Sequence, residues 1–435
     1  MRIDRFIPVL LTLLVAACQA PGPDPSFPAP QLTDNITEHQ VPQQLTREVY
    51  YDKLLGLLVG SAIGDAMGAP VEMWGRDWMQ VQYGYIDTLV HVIREGSAEG
   101  PWENNMVAGA TTDDTRWKYL MGQYLKTQSK DQLDDQAFAR FIVEQYQIER
   151  RKVQSTDNFD PEPLERQLRH MAWLQEWAKV AKPFAADDLR AYSYALNRFY
   201  GGEMSCAGML YSPMIGGFFP AQPVKSYEEA YRLGLFDLGY ARDITALTAC
   251  YVAQAMTPGI PYDSIAGITP LLDPLHYANS RLVGRLAHQS YLNAKKIVFD
   301  ARAIDRPDST LKVPRNFKRS ALAYTQMAHA FQALDQQMQM IPFHAGEIHL
   351  INLTALLYCE GDFRLAMEFI VNFGRDNDTV AAVTGAILGA YHGYQKLPQG
   401  LAQAVSRTSK DQIGIDLEAL AQQITQQVYG SAENL

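Results

Sequence analysis

The 435-residue chain carries 48 acidic and 38 basic side chains, a formal net charge of −10 that excludes the basic face a nucleic-acid partner requires. With 47% hydrophobic and 20% charged residues, its composition is that of a globular protein with apolar material for one large core. An acidic chain still accommodates a nucleotide or a diphosphate if metal ions supply the positive charge.

In chain order, the first element is a leader. Arg2 and Arg5 precede an apolar run from Phe6 to Ala17, the size of a signal h-region and too short to span a bilayer as a helix. It ends in Leu14-Val15-Ala16-Ala17-Cys18, which resembles a bacterial lipoprotein signal. Residues 1–17 would then be removed and Cys18 lipidated, holding the protein outside the cytoplasm by a lipid anchor alone, in the periplasm or at the outer membrane. Gln19 rather than aspartate after the cysteine points to the outer membrane; ordinary secretion with Cys18 incidental is the alternative. Residues 19–47, with Pro21, Pro23, Pro25, Pro28, Pro30 and Pro42, read as an extended tether. Three further cysteines, Cys206, Cys250 and Cys359, cannot form a full disulfide framework and read as buried free thiols.

From Tyr50 onward apolar residues recur at three- and four-residue intervals. The spacing predicts helices over Asp52–Met67, Arg116–Leu125, Gln136–Gln147, Pro163–Val180, Ile244–Met256, Arg319–Met340 and Phe363–Phe373. Alternating strand-like runs are scarce, so the fold class is all-α: a single helical domain over residues 48–400, then a surface helix and tail over 401–435. Two helices are unusual. The first carries Gly56, Gly60, Gly64 and Gly68 on one face, and the segment Thr379–Gly393 carries Gly385, Gly389 and Gly393 among alanines. Each helical glycine costs up to about 1 kcal/mol relative to alanine. A whole glycine face therefore implies two core helices packed backbone to backbone. Lys53 and Asp65 argue against reading the first as a membrane span.

Three polar clusters sit at the ends of these helices: Gly64-Asp65-Ala66-Met67-Gly68 with Glu72, Thr112-Asp113-Asp114-Thr115, and Gly374-Arg375-Asp376-Asn377-Asp378-Thr379. Taken singly, each is explained by helix capping, because Thr and Asp accept the free N–H groups of a first turn. Asp-Asn-Asp also suggests a calcium loop, but Val380 and Ala381 fall where that loop needs a ligand and a glycine. Taken together, four carboxylates repel one another unless cations neutralise them, and carboxylate with threonine hydroxyl oxygen suits Mg²⁺, Mn²⁺ or Ca²⁺ rather than zinc.

The three motifs in this order resemble the ADP-ribosylglycohydrolase family: Gly64-Asp65-x-x-Gly68-x-x-x-Glu72, Thr112-Asp113-Asp114-Thr115, and Asp376-x-Asp378-Thr379 running into Ala381-Ala382-x-x-Gly385-Ala386-x-x-Gly389-Ala390. The resemblance covers about residues 50–398. It implies a helical fold with a central two-metal cleft holding two divalent cations, usually Mg²⁺, with Mn²⁺ an alternative. Thr112, Asp113, Asp114, Asp376, Asp378 and Thr379 would be the ligands, and Glu72, with Asp114 and Asp376, would carry catalysis. Asp65 would sit at the substrate site or, more simply, bond to backbone beside it.

The chain departs from the family pattern in places. Gly374-Arg375 stands where many members have Gly-Gly. The nearest match to the family's phosphate loop is Ser205-Cys206-Ala207-Gly208-Met209-Leu210 before Pro213, without its arginine, and the following Thr-His pair is missing near Arg242-Asp243. Ser205, Gly208 and Tyr211 are the candidate substrate contacts there, and Tyr200, Tyr211, Phe218 and Phe219 the candidate rings for stacking on adenine. The expected reaction is hydrolysis of a glycosidic bond to ribose, removing ADP-ribose from a protein or small molecule by a monomeric enzyme. Another ribosyl or glycosyl substrate, or a silent ligand-binding lipoprotein, are the alternatives. His344 and His349, five apart, do not share a helix face and read as packing or surface residues.

Overall fold

The structure, a computed structural model, describes residues 45–91, 106–129, 132–155 and 161–430. The leader, Cys18 and nearly all of the proline-rich tether lie outside the described residues. Among the described residues seventeen α-helices follow in order: α1 (Arg47–Gly68), α2 (Arg76–Gln82), α3 (Asp113–Leu125), α4 (Asp135–Ser155), α5 (Pro161–Ala185), α6 (Leu189–Leu196), α7 (Ala207–Phe218), α8 (Pro223–Leu233) and α9 (Ala241–Ala255). The remainder are α10 (Asp263–Gly267), α11 (Leu286–Arg302), α12 (Ala321–Asp335), α13 (Ala345–Cys359), α14 (Phe363–Phe373), α15 (Asn377–His392), α16 (Gln399–Thr408) and α17 (Leu417–Tyr429). Among the described residues there is no strand; an isolated antiparallel bridge joins Ser205 to His344. The fold is all-α, as the periodicity implies.

The glycine faces meet each other. A Cβ on Gly60 would fall inside the carbonyl oxygen of Gly385, one on Gly56 inside that of Gly389, and one on Gly64 inside that of Ala381. The register therefore runs antiparallel, four residues forward on α1 for four back on α15. This seam brings the C-terminal end of α1 to the N-terminal end of α15, where a Cβ on Gly68 would strike the backbone of Asp378. α1 is long and apolar enough to cross a membrane, but it is buried within the protein as a core helix. At the far end of the seam the half-buried Lys53 ammonium donates to the carbonyls of Ala390, Tyr391 and Ala255, closing the C-terminal turns of α15 and α9.

Local rules set most boundaries. Asp362 accepts the Leu365 N–H and starts α14, and Gly374 at φ 92° stops it, so Phe363–Phe373 falls as expected. α12 is shorter than the expected Arg319–Met340: the Ser320 hydroxyl accepts the Ala323 N–H, while Arg319 turns aside to pair with Glu368. Beyond residue 400 the single expected surface helix is replaced by α16, a π-turn over Ser409–Ile413 and α17. α17 buries Leu417, Leu420, Ala421 and Ile424, and the Tyr429 ring lies 5.1 Å from that of Tyr50, so this segment completes the core over α1. The three internal cysteines are buried free thiols.

Candidate active site

The α3 end of the site is organised from another helix. Asp65, fully buried on α1, accepts the backbone N–H of Thr112 at 2.9 Å and of Thr115 at 3.0 Å, and the hydroxyls of the same two threonines at 3.0 and 2.6 Å. These are the N–H groups that a capping side chain would satisfy. Thr112, at the cap position, accepts none of them. Asp65 thus caps α3 from outside, which releases the Asp113 and Asp114 side chains for other work.

The α15 end is likewise uncapped by its own residues. Asp376 stands at the cap position and makes no capping bond. Asp376 Oδ1 and Asp378 Oδ1 are buried and accept no hydrogen bond. Between the two helices, the Thr112 hydroxyl, whose single proton is shared with Asp65, also lies 3.3 Å from Asp378 Oδ2, and Thr379 Oγ1 donates to Asp114 Oδ2 at 2.9 Å, so the two threonines link α3 to α15. Helix capping, a sufficient account of either motif alone, does not describe what these side chains do.

Glu72 joins them from the turn after α1. The following residue, Met73, adopts φ 63° and donates its N–H to the Arg375 carbonyl at 2.8 Å, fastening the Glu72 turn to the loop before α15. That loop passes through two positive-φ residues, Gly374 at 92° and Arg375 at 65°, a conformation that glycine adopts without strain. Arg375 holds the conformation by pairing through Nε and Nη2 with both Glu347 oxygens, at 2.7 and 2.9 Å.

Electrostatically the cluster is crowded. Burial, then the charges of Asp114 and Glu72, push Asp376 up to about 7. Burial and Asp114 push Asp65 up to about 6. Asp378 and Asp113 are raised well above the carboxylate range by burial and by their acidic neighbours, Glu72 first for Asp378 and Asp114 first for Asp113. Among the described residues no three His, Cys, Asp or Glu side chains close into a ready cage. The donors nevertheless fit a hard cation that keeps several of its waters and takes one or two carboxylates: two orphaned carboxylate oxygens with threonine hydroxyls and further acids alongside.

The expected substrate loop is placed differently. Ser205 and Gly208 lie at the start of α7, with Ser205 Oγ buried and without a partner. The Gly208 N–H, however, donates to buried Asp237 at 2.9 Å, so a carboxylate already occupies that donor. Tyr211 is not a substrate contact: it is fully buried, its hydroxyl donates to Leu233 O at 2.6 Å, and its ring packs among Trp117, Phe138, Trp177 and Phe236. Phe218 and Phe219 are core as well, which leaves half-buried Tyr200 from the stacking candidates. Asp65, with both oxygens taken, positions α3 and is closed to a ligand. His344 caps α13, and His349 is buried against Tyr251. Two neighbours went unforeseen. Cys206 Sγ faces Asp376 Oδ2 at 3.9 Å, and Lys118 reaches Asp114 from one helical turn away, a spacing that the sequence displays.

The sequence profile of the ADP-ribosylglycohydrolase family matches residues 46–434. The chain belongs to this family. An Escherichia coli K12 relative described as "Uncharacterized protein YegU" is 24% identical over 354 residues, 80% of this chain and 90% of that one. A solved structure titled "ADP-ribosylglycohydrolase-related protein complex" superposes with a TM-score of 0.53 at 17% identity, covering 88% of this chain and 99% of the other, and so shares the fold. As an ADP-ribosylglycohydrolase family member with that fold, the protein is a glycosyl hydrolase.

Proposed function

We propose that the protein hydrolyses a glycosidic bond to ribose with the help of divalent cation, Mg²⁺ or Mn²⁺, and that ADP-ribose conjugates are its substrates. The observation that carries this reading is the pair of orphaned, buried oxygens on Asp376 and Asp378 facing the capped-from-outside Thr112-Asp113-Asp114 turn. Asp113, Asp114, Asp376, Asp378 and the hydroxyls of Thr112 and Thr379 would hold the cation, which supplies fixed positive charge to orient ribose hydroxyls and acidify a water. Glu72, in the turn that the Met73–Arg375 bond fastens to the loop before α15, accepts the proton of the water that attacks the anomeric carbon. By the family resemblance, Asp114 and Asp376 would add negative charge that stabilises the positive charge developing on the sugar ring.

The test is a panel of ADP-ribosyl-arginine, ADP-ribosyl-serine, free nucleosides and aryl ribosides, with Mg²⁺, Mn²⁺ or EDTA. Release of ADP-ribose that needs metal, and that Glu72→Gln abolishes with metal binding intact, supports the reading; full activity of Glu72→Gln overturns the role of Glu72. A second reading is favoured by Asp237 on the Gly208 N–H and by Leu210 in place of an arginine: a ribosyl substrate without a diphosphate. Turnover of nucleosides or aryl ribosides alone would select it. The lipid anchor is proposed on the leader sequence, and loss of membrane association in Cys18→Ala checks it.

A further inference from the structure

Lys118 has no part in the mechanism above, yet it is buried inside the acidic cluster with its side chain 1% exposed. Its Nζ donates to the Asp114 carbonyl at 3.1 Å and stands 3.3 Å from Asp114 Oδ1. Asp114 Oδ2 is taken by the Thr379 hydroxyl. Both carboxylate oxygens of Asp114 are therefore engaged from within the chain. The same ammonium also draws Asp65 downward, against the push of burial and Asp114. Two guanidinium groups stand near these acids and are held elsewhere: half-buried Arg116, beside Asp113, donates to the Thr111 carbonyl at 3.2 Å, and Arg375, next to Asp376 in the chain, pairs with Glu347.

The α15 side of the cleft is the opposite case. Asp376 Oδ1 and Asp378 Oδ1 accept nothing and no ammonium reaches them among the described residues. Paired metal ions in hydrolases stand about 3.5–4 Å apart and share carboxylates between them. An ammonium held against Asp114 occupies that space with a unit of positive charge and repels a dication brought beside it.

We propose that Lys118 stands in for one of two cations: its ammonium neutralises Asp114 from within the chain, and the cluster takes a single divalent ion on the Asp376/Asp378 side. This rests on the reading that the cluster binds a divalent cation, and it departs from the two-ion site that the family resemblance implies. It also assigns the cleft an asymmetry, with a fixed charge against α3 and an exchangeable one against α15.

Metal counting decides the matter without any substrate. Wild-type protein is saturated with Mn²⁺, passed into metal-free buffer, and its bound metal measured per chain, with the electron paramagnetic resonance spectrum taken on the same sample. The expected result is one Mn²⁺ with the hyperfine pattern of an isolated ion. Lys118→Met should raise the count twofold and give a spin-coupled pair, and Lys118→Arg should keep the wild-type count. Two ions in the wild type overturn the proposal, and so does an unchanged count in a folded Lys118→Met. If Lys118→Met fails to fold, the wild-type count and spectrum decide alone. No bound metal at all sinks the cation reading itself, an outcome distinct from two.

Discussion

Asp243 and Asp376 are both buried aspartates at the start of a helix, and the chain treats them oppositely. Asp243 receives Nε and Nη2 of Arg285 at 2.9 and 2.6 Å and the Tyr227 hydroxyl at 2.6 Å, while Arg285 Nη1 donates onward to the Thr269 carbonyl at 2.9 Å. Asp376 has one oxygen without a donor and the other facing a thiol. A buried charge whose partners are all within the chain serves architecture. A buried charge left incomplete serves something that the chain must bind.

The sharpest way to break that contrast is to remove the incomplete charges. Asp376→Ala/Asp378→Ala should lower turnover by at least about a thousandfold, since several kcal/mol of charge stabilisation goes with the cation. Its melting temperature should hold or rise, because like charges have been taken out of the core. A fall in melting temperature on the scale of a core defect would erase the distinction. Arg285→Met is the mirror experiment. It strands Asp243, so denaturant titration should show a loss of about 3–5 kcal/mol, with turnover per folded molecule unchanged.

The contrast also has a pH signature. Aspartate titrates near 3.9 in an unfolded chain, whereas Asp65 is raised to about 6 and Asp376 to about 7. The native state therefore keeps protons that the unfolded chain has lost. Their contribution to stability is fully present below about pH 4 and disappears as pH climbs through the folded values. Urea midpoints in EDTA should fall between about pH 5 and 8, Mg²⁺ should restore them at the upper end, and Asp376→Asn should flatten the upper part of the fall. A cation-free protein that gains stability over this interval would contradict the arrangement. Gly60→Ala, which forces a methyl into a carbonyl, should cost about 1–3 kcal/mol or more by the same titration. Tyr211→Phe should have the smallest effect, about 1 kcal/mol for the bond to Leu233, with KM unmoved; a raised KM would return Tyr211 to the substrate site.

Much of this was legible in the sequence for definite reasons. Four-residue glycine spacing on a helix that also carries Lys53 and Asp65 has one economical explanation, close backbone packing, and the Gly56–Gly389 and Gly60–Gly385 approaches bear it out. The three acidic motifs stood out because each exceeds what a cap requires, and the structure does gather Asp65, Glu72, Thr112, Asp114, Asp376, Asp378 and Thr379 at one end of the seam. What escaped depends on partners distant in sequence. Tyr211 could be assigned to the core only by knowing that Trp117, Phe138, Trp177 and Phe236 converge on it from four separate helices and loops. Asp65 as a cap in trans needs the crossing of α1 and α3. Lys118 is different: its four-residue spacing from Asp114 was in view, but solvated lysines on helix faces are so common that burial had to be seen.

The glycine seam has one more consequence. Because α1 and α15 touch through main chain, the separation between the Glu72 turn and the Asp376 turn is set by peptide units common to every sequence, with no rotamer in between. The segment from Ser205 to Pro213, which runs into α7, approaches the acidic pole through Cys206, 3.9 Å from Asp376. A rigid chassis of this kind lets a lineage exchange the neighbouring segment while the acidic pole stays in register. If that segment reads the substrate, chimaeras that swap only Ser205–Pro213 between relatives should inherit the donor's substrate preference and the recipient's response to metal.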